Sequence, residues 1–361
     1  ELSEFTLSFI TYVGIITCLF GASVALLQDD IKKIIAYSTC SQLGYMFFAC
    51  GISAYSLGVF HLVTHAFFKA LLFLAAGSII HVCHHEQNIK KMGGLYYKIP
   101  ITYCFVILGS LALMGIPPLS GYFSKDLILE YAFSLHSFEG NLVYYLGCLG
   151  AAMTSVYSAR LIYLTFHGKR KIKSESFSDI KEAPKVMLLP VFVLSIGAVF
   201  SGYFFYDLVK YKSFWKGSIF FKEDINFVEQ AHHIHLIYKV FPIFVVILFS
   251  LFVIVYFKKF KNLFVSKNKI IYLFLNILKN KWYFDQVYNY LFIRKLISFS
   301  NLLWKAIDIR VIDGFGPIGI SSGIYLLSKN LKKVQNGKIF IYTTFMMLGI
   351  ILFFILIFIN F

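Results

Sequence analysis

Three side chains stand where a proton could be carried through an apolar run. His61, His65 and Lys69 lie in HLVTHAFFKALLFL (His61–Leu74), inside an apolar run from about Ser56 to Ile80. Such a run is long enough to cross a bilayer. Spacing of four residues on a helix puts all three on one stripe, about 12 Å from first to last. Lys69 falls near the middle of the run, too deep to snorkel easily, and an ammonium group there is costly. It is therefore expected to have a carboxylate or a water chain close by. Two imidazoles and an amine on one face at membrane depth suit a proton path, because imidazole exchanges protons near neutral pH. The competing reading is a polar stripe that only glues two helices together.

A second pair follows a helix-breaking sequence. The stretch from Ile101 to Phe133 reads ITYCFVILGSLALMGIPPLSGYFSKDLILEYAF. Pro117 and Pro118 remove two backbone donors, and Gly115 and Gly121 loosen the turn around them. Lys125 and Asp126 come directly after the break. A broken helix at membrane depth survives only where protein or trapped water satisfies the freed carbonyls.

The elements that must position these residues are membrane spans. The chain of 361 residues is 58% hydrophobic and 14% charged, which excludes an ordinary soluble domain. The expected fold is all-α and polytopic, with about eight spans. They run near 7–27, 34–53, 56–80, 102–133 (the broken one), 142–166, 186–206, 236–257 and 340–361. Loops on one side of this arrangement hold twenty-six Lys and Arg, those on the other side four: Lys210, Lys212, Lys216 and Lys222. This asymmetry places residues 258–338 inside and both chain ends outside. It also accounts for the net charge of +16 without nucleic acid. Reading the Gly-Ile-Pro-Pro stretch as a loop between two spans would turn every later basic loop outward, so one interrupted span is preferred.

Residues 282–331 mix apolar and basic side chains at near-helical spacing. They are expected to form an amphipathic helix along the inner surface, bent at Gly314–Gly319. The expected divisions are 1–180 for the channel-bearing repeat, 181–257 for accessory spans, 258–338 for the lateral region and 339–361 for a terminal anchor. The six cysteines stand singly and read as small apolar fillers. His81, His84, His85 and Glu86 lack the spacing of a metal site, and no metal ligand set is assigned. Arg160, within the fifth span, is expected to snorkel inward or to pair with a carboxylate from outside this chain. No nucleotide, flavin or heme motif occurs.

The order of motifs resembles one family. QDDIKKIIAYSTCSQLGYM (Gln28–Met46), His61–Leu74, HHEQNIKKMGGL (His84–Leu95), GIPPLSGYFSKDLIL (Gly115–Leu129), WYFDQVY (Trp282–Tyr288) and VIDGFGP (Val311–Pro317) are similar to the antiporter-like membrane subunits of respiratory complex I, of the chain L and subunit 5 type. The resemblance implies proton translocation, with Lys69 as the channel lysine, His61 and His65 as relay groups, and Lys125 and Asp126 as the outlet pair. It implies no cofactor in this chain, and NADH, FMN, iron–sulfur clusters and quinone in other subunits. It implies neighbouring antiporter-like subunits as partners along the lateral helix. HHEQNIKKMGG looks more bacterial than mitochondrial, so a bacterial plasma membrane is expected, with the mitochondrial inner membrane as alternative. Family members have further spans upstream in inverted five-helix repeats, of which this chain would hold the second. Two other readings are a subunit of a multisubunit Na⁺/H⁺ antiporter or membrane-bound hydrogenase, and a structural clamp without transport.

Overall fold

The computed structural model describes residues 3–171, 177, 179–221, 227–259 and 269–359. Lys173, Lys222, Lys261, Lys267 and Phe361, which entered the topology argument, lie outside the described residues. Packing divides the chain into two compact units, Glu1–Trp282 and Tyr283–Phe361.

In the first unit the spans follow the sequence closely. They are α1 (Glu4–Leu27), α2 (Ile31–Gly51), α3 (Tyr55–Val82), α4 (Pro100–Met114), α5 (Leu127–Ser134), α6 (Phe138–Ile162), α7 (Lys185–Phe204) and α8 (Leu236–Lys259). Caps explain several starts. Asp30 accepts from the backbone N–H of Lys32 and Lys33 to open α2, and Ser137 accepts from Gly140 to open α6. Helix α4 starts at Pro100 and borrows its cap from a distant loop: Glu182 accepts from the backbone N–H of Ile101 at 3.0 Å and Thr102 at 3.2 Å.

Helices α1 and α2 form the closest pair in the bundle. Gly14 and Gly21 on α1 stand seven residues apart, as do Gly44 and Gly51 on α2. A Cβ on Gly14 would lie 2.5 Å from the backbone nitrogen of Phe48, and one on Gly21 2.5 Å from that of Ser41. Backbones therefore touch where lipid supplies no hydrophobic drive, so van der Waals contact between small residues does the packing. Helix α3 is packed against α2, α4 and α7, which buries the face carrying His61, His65 and Lys69.

The break in the fourth span lies where the prolines place it. Gly115 ends α4 in the left-handed region at φ 83°, and the Pro117–Pro118 peptide is cis. A π-turn, Tyr122–Asp126, then leads into α5. A side chain at Gly121 would collide with the Ala112 carbonyl, so glycine is needed there for close approach.

Among the described residues, seven helices are long and apolar enough to cross a membrane. They differ from the expected spans at three places. Helix α2 is left out by its polar Ser38, Thr39, Ser41 and Gln42, although its 21 residues have the length of a span. Helix α4 is left out because the break stops it at 15 residues. The stretch Lys281–Val334 is included by length and composition.

The second unit starts at Tyr283, the last of three residues in the left-handed region with Lys281 and Trp282, at φ between 55° and 56°. Helical turns run from Phe284 to Asp313, partly as π-turns, and α9 (Pro317–Val334) follows. Gly316, with ψ −114°, interrupts the run inside the bend expected at 314–319. Two features argue against a simple crossing by this stretch. The turns to Asp313 alone extend about 45 Å at 1.5 Å per residue, beyond a hydrocarbon core of about 30 Å. They also carry Asp285, Arg294, Lys295, Lys305, Asp308, Arg310 and Asp313. The chain's last described element is α10 (Ile339–Ile359), apolar apart from Tyr342, Thr343 and Thr344 near its start. No described side chain of this unit is buried.

Candidate functional site

Helix α3 provides the stripe that the four-residue spacing predicts. His61, His65 and Lys69 are all buried, and the two imidazole rings lie 5.9 Å apart between centroids. Helix α2 faces this stripe with a matching pair of its own. Lys69 Nζ donates to Ser38 Oγ, and His61 Nε2 is hydrogen-bonded to Gln42 Oε1 at 3.1 Å. Ser38 and Gln42 are themselves four residues apart, so two helix stripes face each other. Of the carboxylate or water chain expected beside Lys69, no carboxylate pairs with it: among the described residues Lys69 forms no ion pair and donates to a hydroxyl. Next to Ser38 a cavity of about 10 Å³, bordered also by Ser110, Tyr157 and Ser158, has room for one water molecule.

The break brings the second pair to the first. His61 Nδ1 is hydrogen-bonded to Ser124 Oγ at 2.9 Å, and Thr64 Oγ1 to the same Ser124 Oγ at 2.7 Å. Lys125 and Asp126 follow Ser124 in the π-turn, and both are buried. Lys125 Nζ donates to the Met114 carbonyl at 2.8 Å, a carbonyl freed by the break. Here protein satisfies the group that the prolines release, as the membrane requires. Lys125 and Asp126 do not form an ion pair with each other. Both instead approach Gly115, where a Cβ would lie 3.4 Å from Asp126 Oδ1 and from Lys125 Nζ. Lys125 Nζ also lies 5.9 Å from the centre of the Tyr45 ring.

Two polar atoms on this line are buried without a protein partner: His65 Nε2 and Asp126 Oδ2. Such atoms cost stability unless something else satisfies them. Hydrogen bonds thus join His61 to Gln42 of α2 and to Ser124 of the turn, where Lys125 and Asp126 follow directly.

Arg160 behaves differently from expectation. It neither snorkels nor waits for an outside carboxylate. Its guanidinium donates to the Leu26 carbonyl at 3.1 Å, the Gln28 carbonyl at 2.6 Å and Asp29 Oδ1 at 2.5 Å. Asp29 also receives Lys90 at 2.7 Å. This cluster ties the α1–α2 turn to α6 and to the loop after α3. In that loop Glu86 caps its own turn through the backbone N–H of Asn88, which holds its carboxyl below the ordinary range, and pairs with Lys91 at 3.3 Å.

The sequence reading missed Ser38, Gln42, Thr64 and Ser124. A signal was present: small polar residues recurring at four within apolar helices, as at Ser38 and Gln42, or Ser120 and Ser124. It was masked because hydroxyls in membrane helices more often bond their own backbone, as Thr39 does with Ile35.

A bundle of apolar helices with one broken span and a buried line of titratable groups defines a polytopic membrane protein of the antiporter-like class. Residues 1–171 match the family described as the transmembrane region of NADH:quinone oxidoreductase and Mrp antiporters. Residues 157–357 match the family described as the NADH dehydrogenase subunit 5 C-terminus, and the chain belongs to this subunit 5 family. NADH-quinone oxidoreductase subunit L of Rickettsia bellii is 43% identical over 97% of this chain and 54% of its own length. The Rickettsia typhi protein of the same name is 44% identical over 98% of this chain and 56% of its length. NADH-ubiquinone oxidoreductase chain 5 of Marchantia polymorpha is 40% identical over 98% and 54%. The chain therefore spans about half the length of the curated relatives it matches. A chain in the structure of an archaeal membrane-bound sulfane sulfur reductase shares the fold, with TM-score 0.59 and 24% identity, covering 90% of this chain and 56% of that one.

Proposed function

We propose that this chain is a proton-conducting part of a membrane-arm subunit of NADH:quinone oxidoreductase. The observation that carries the reading is the buried line joining α3 to the broken span, in which His61 bonds Ser124 beside Lys125 and Asp126. A proton held by Lys69 would pass by way of His65 and His61 toward the Lys125–Asp126 turn. It would be driven by charge changes in neighbouring parts of the complex. Redox chemistry belongs to other subunits, which hold NADH, FMN, iron–sulfur clusters and quinone. The partners are other membrane-arm subunits, with the Phe284–Val334 helical run lying on the inner surface against them. The setting is a bacterial plasma membrane, as the Rickettsia relatives favour, or a mitochondrial inner membrane. A Na⁺/H⁺ antiporter subunit is the second reading. It is favoured by the shared description over residues 1–171 and disfavoured by the subunit 5 match over residues 157–357.

The test is NADH-driven proton uptake in sealed vesicles carrying the assembled complex. Lys69→Ala is expected to assemble and oxidise NADH but to lose most pumping. Lys69→Arg is expected to fail as well, because a guanidinium stays protonated and cannot pass its proton on. Full pumping by the Arg variant would leave Lys69 as helix glue. Loss of assembly in the Ala variant, with pumping kept in what assembles, would favour a structural clamp.

A further inference from the structure

Beyond Asp126 the structure holds a cavity of about 310 Å³ between the broken span and the end of α7. Tyr122, Asp126 and Glu130 line one side, and Gly202, Tyr203 and Tyr206 the other. Beside the cavity Gly202 lets α7 come close to the broken span. A Cβ there would lie 2.7 Å from Phe123 Cδ2 and 2.9 Å from Ser120 Cα. Asp126 lines this space, and its Oδ2 is buried without a protein partner. Glu130 follows Asp126 by one helical turn, about 6 Å along the axis, so both carboxyls lie on one face. Glu130 is also nearly buried, and Lys239 at the start of α8 bears on it electrostatically.

The position in the span fits an exit. Tyr203 and Tyr206 stand at the end of α7, where tyrosines suit the boundary between hydrocarbon and water. Tyr203 is 51% exposed, so that wall reaches the surface of the bundle. Basic residues put this end of α7 on the outer side. Phe123, Leu127 and the tyrosine rings make most of the wall apolar, and the tyrosines and two carboxyls add polar groups; the volume holds several water molecules, each needing two to four polar partners.

We propose that Glu130 is the last protein group on the outward leg of the path, and that the cavity is its water-filled outlet. This rests on the proton-path reading given above. The step moves one proton and no electrons. Protonated Asp126 gives its proton through water to the Glu130 carboxylate and becomes a carboxylate. Glu130 then releases the proton to outer water and returns to its charged form. The bland alternative is a carboxylate that only balances Lys239 and ties α5 to α8. In that role glutamine or aspartate at 130 would alter assembly rather than the ratio of protons moved to NADH oxidised.

The experiment compares Glu130→Gln, Glu130→Asp and Lys69→Ala in sealed vesicles with the assembled complex. It reads proton uptake per NADH oxidised. Glu130→Gln is expected to lower this ratio several-fold with assembly kept, and Glu130→Asp to recover most of it. An unchanged ratio in Glu130→Gln would overturn the proposal. If Lys69→Ala stops pumping while Glu130→Gln does not, the proton path stands and only the outlet falls. If Lys69→Ala pumps normally, the path itself fails. Should Glu130→Gln not assemble, Tyr206→Cys decides. Labelling by a membrane-impermeant thiol reagent from the outer side, above that of the unsubstituted chain, supports an aqueous outlet, and protection from it overturns one.

Discussion

The line on α3 and the cluster around Arg160 are both charged groups at membrane depth or its edge, yet they are built in opposite ways. Arg160 spends its donors on two carbonyls and a carboxylate, and Asp29 is shared with Lys90. The α3 line keeps His65 Nε2 and Asp126 Oδ2 unpartnered, and Lys69 holds only a serine hydroxyl. A saturated cluster fixes geometry, because any movement breaks several bonds at once. A line with open positions can accept and release a proton without being taken apart.

The largest effect should come from breaking the saturated cluster. Arg160→Ala leaves three acceptors unsatisfied, and removing one member of a buried pair typically costs 3–5 kcal/mol. The side chain of Asp29 is 26% exposed, so solvent screening reduces this here to about 2 kcal/mol. The expected outcome is less assembled complex, measured on native gels, with a normal proton-to-NADH ratio in what remains. A normal amount of complex with a lowered ratio would erase the contrast. Gln42→Ala should act more weakly, since it leaves one His61 nitrogen unpaired, at about 1 kcal/mol. Thermal unfolding of the solubilised complex checks this, together with slower pumping. His65→Leu sharpens the comparison from the other side. It removes a ring nitrogen that no protein group satisfies, so stability should change by no more than about 0.5 kcal/mol. Pumping should nevertheless fall, and a variant that pumps at the full rate would take His65 off the path.

Much of this architecture was legible in the chain. The spans, the break at Gly115–Gly121 and the stripe on α3 come from local features: apolar length, prolines, and a period of four. These act within one helix and do not depend on its neighbours. Legibility failed where polar residues serve another helix. Ser38 and Gln42 looked like ordinary small residues of α2, and Glu130 like an ordinary member of a short apolar helix. In a membrane bundle every helix face is apolar, so the sequence does not mark which face meets a neighbour.

By itself the sequence determined where most of the long apolar helices lie, where one apolar run breaks, and that His61, His65 and Lys69 share a face. Only the tertiary structure decided what that face meets. It set Ser38 against Lys69, Gln42 and Ser124 against His61, Asp29 against Arg160, and a glycine of α7 against the turn that carries Asp126. The reason is physical: spacing along a helix is fixed by its pitch, whereas contact across helices depends on rotation and depth. Those are set by how closely the backbones approach, as at the glycines that join α1 to α2.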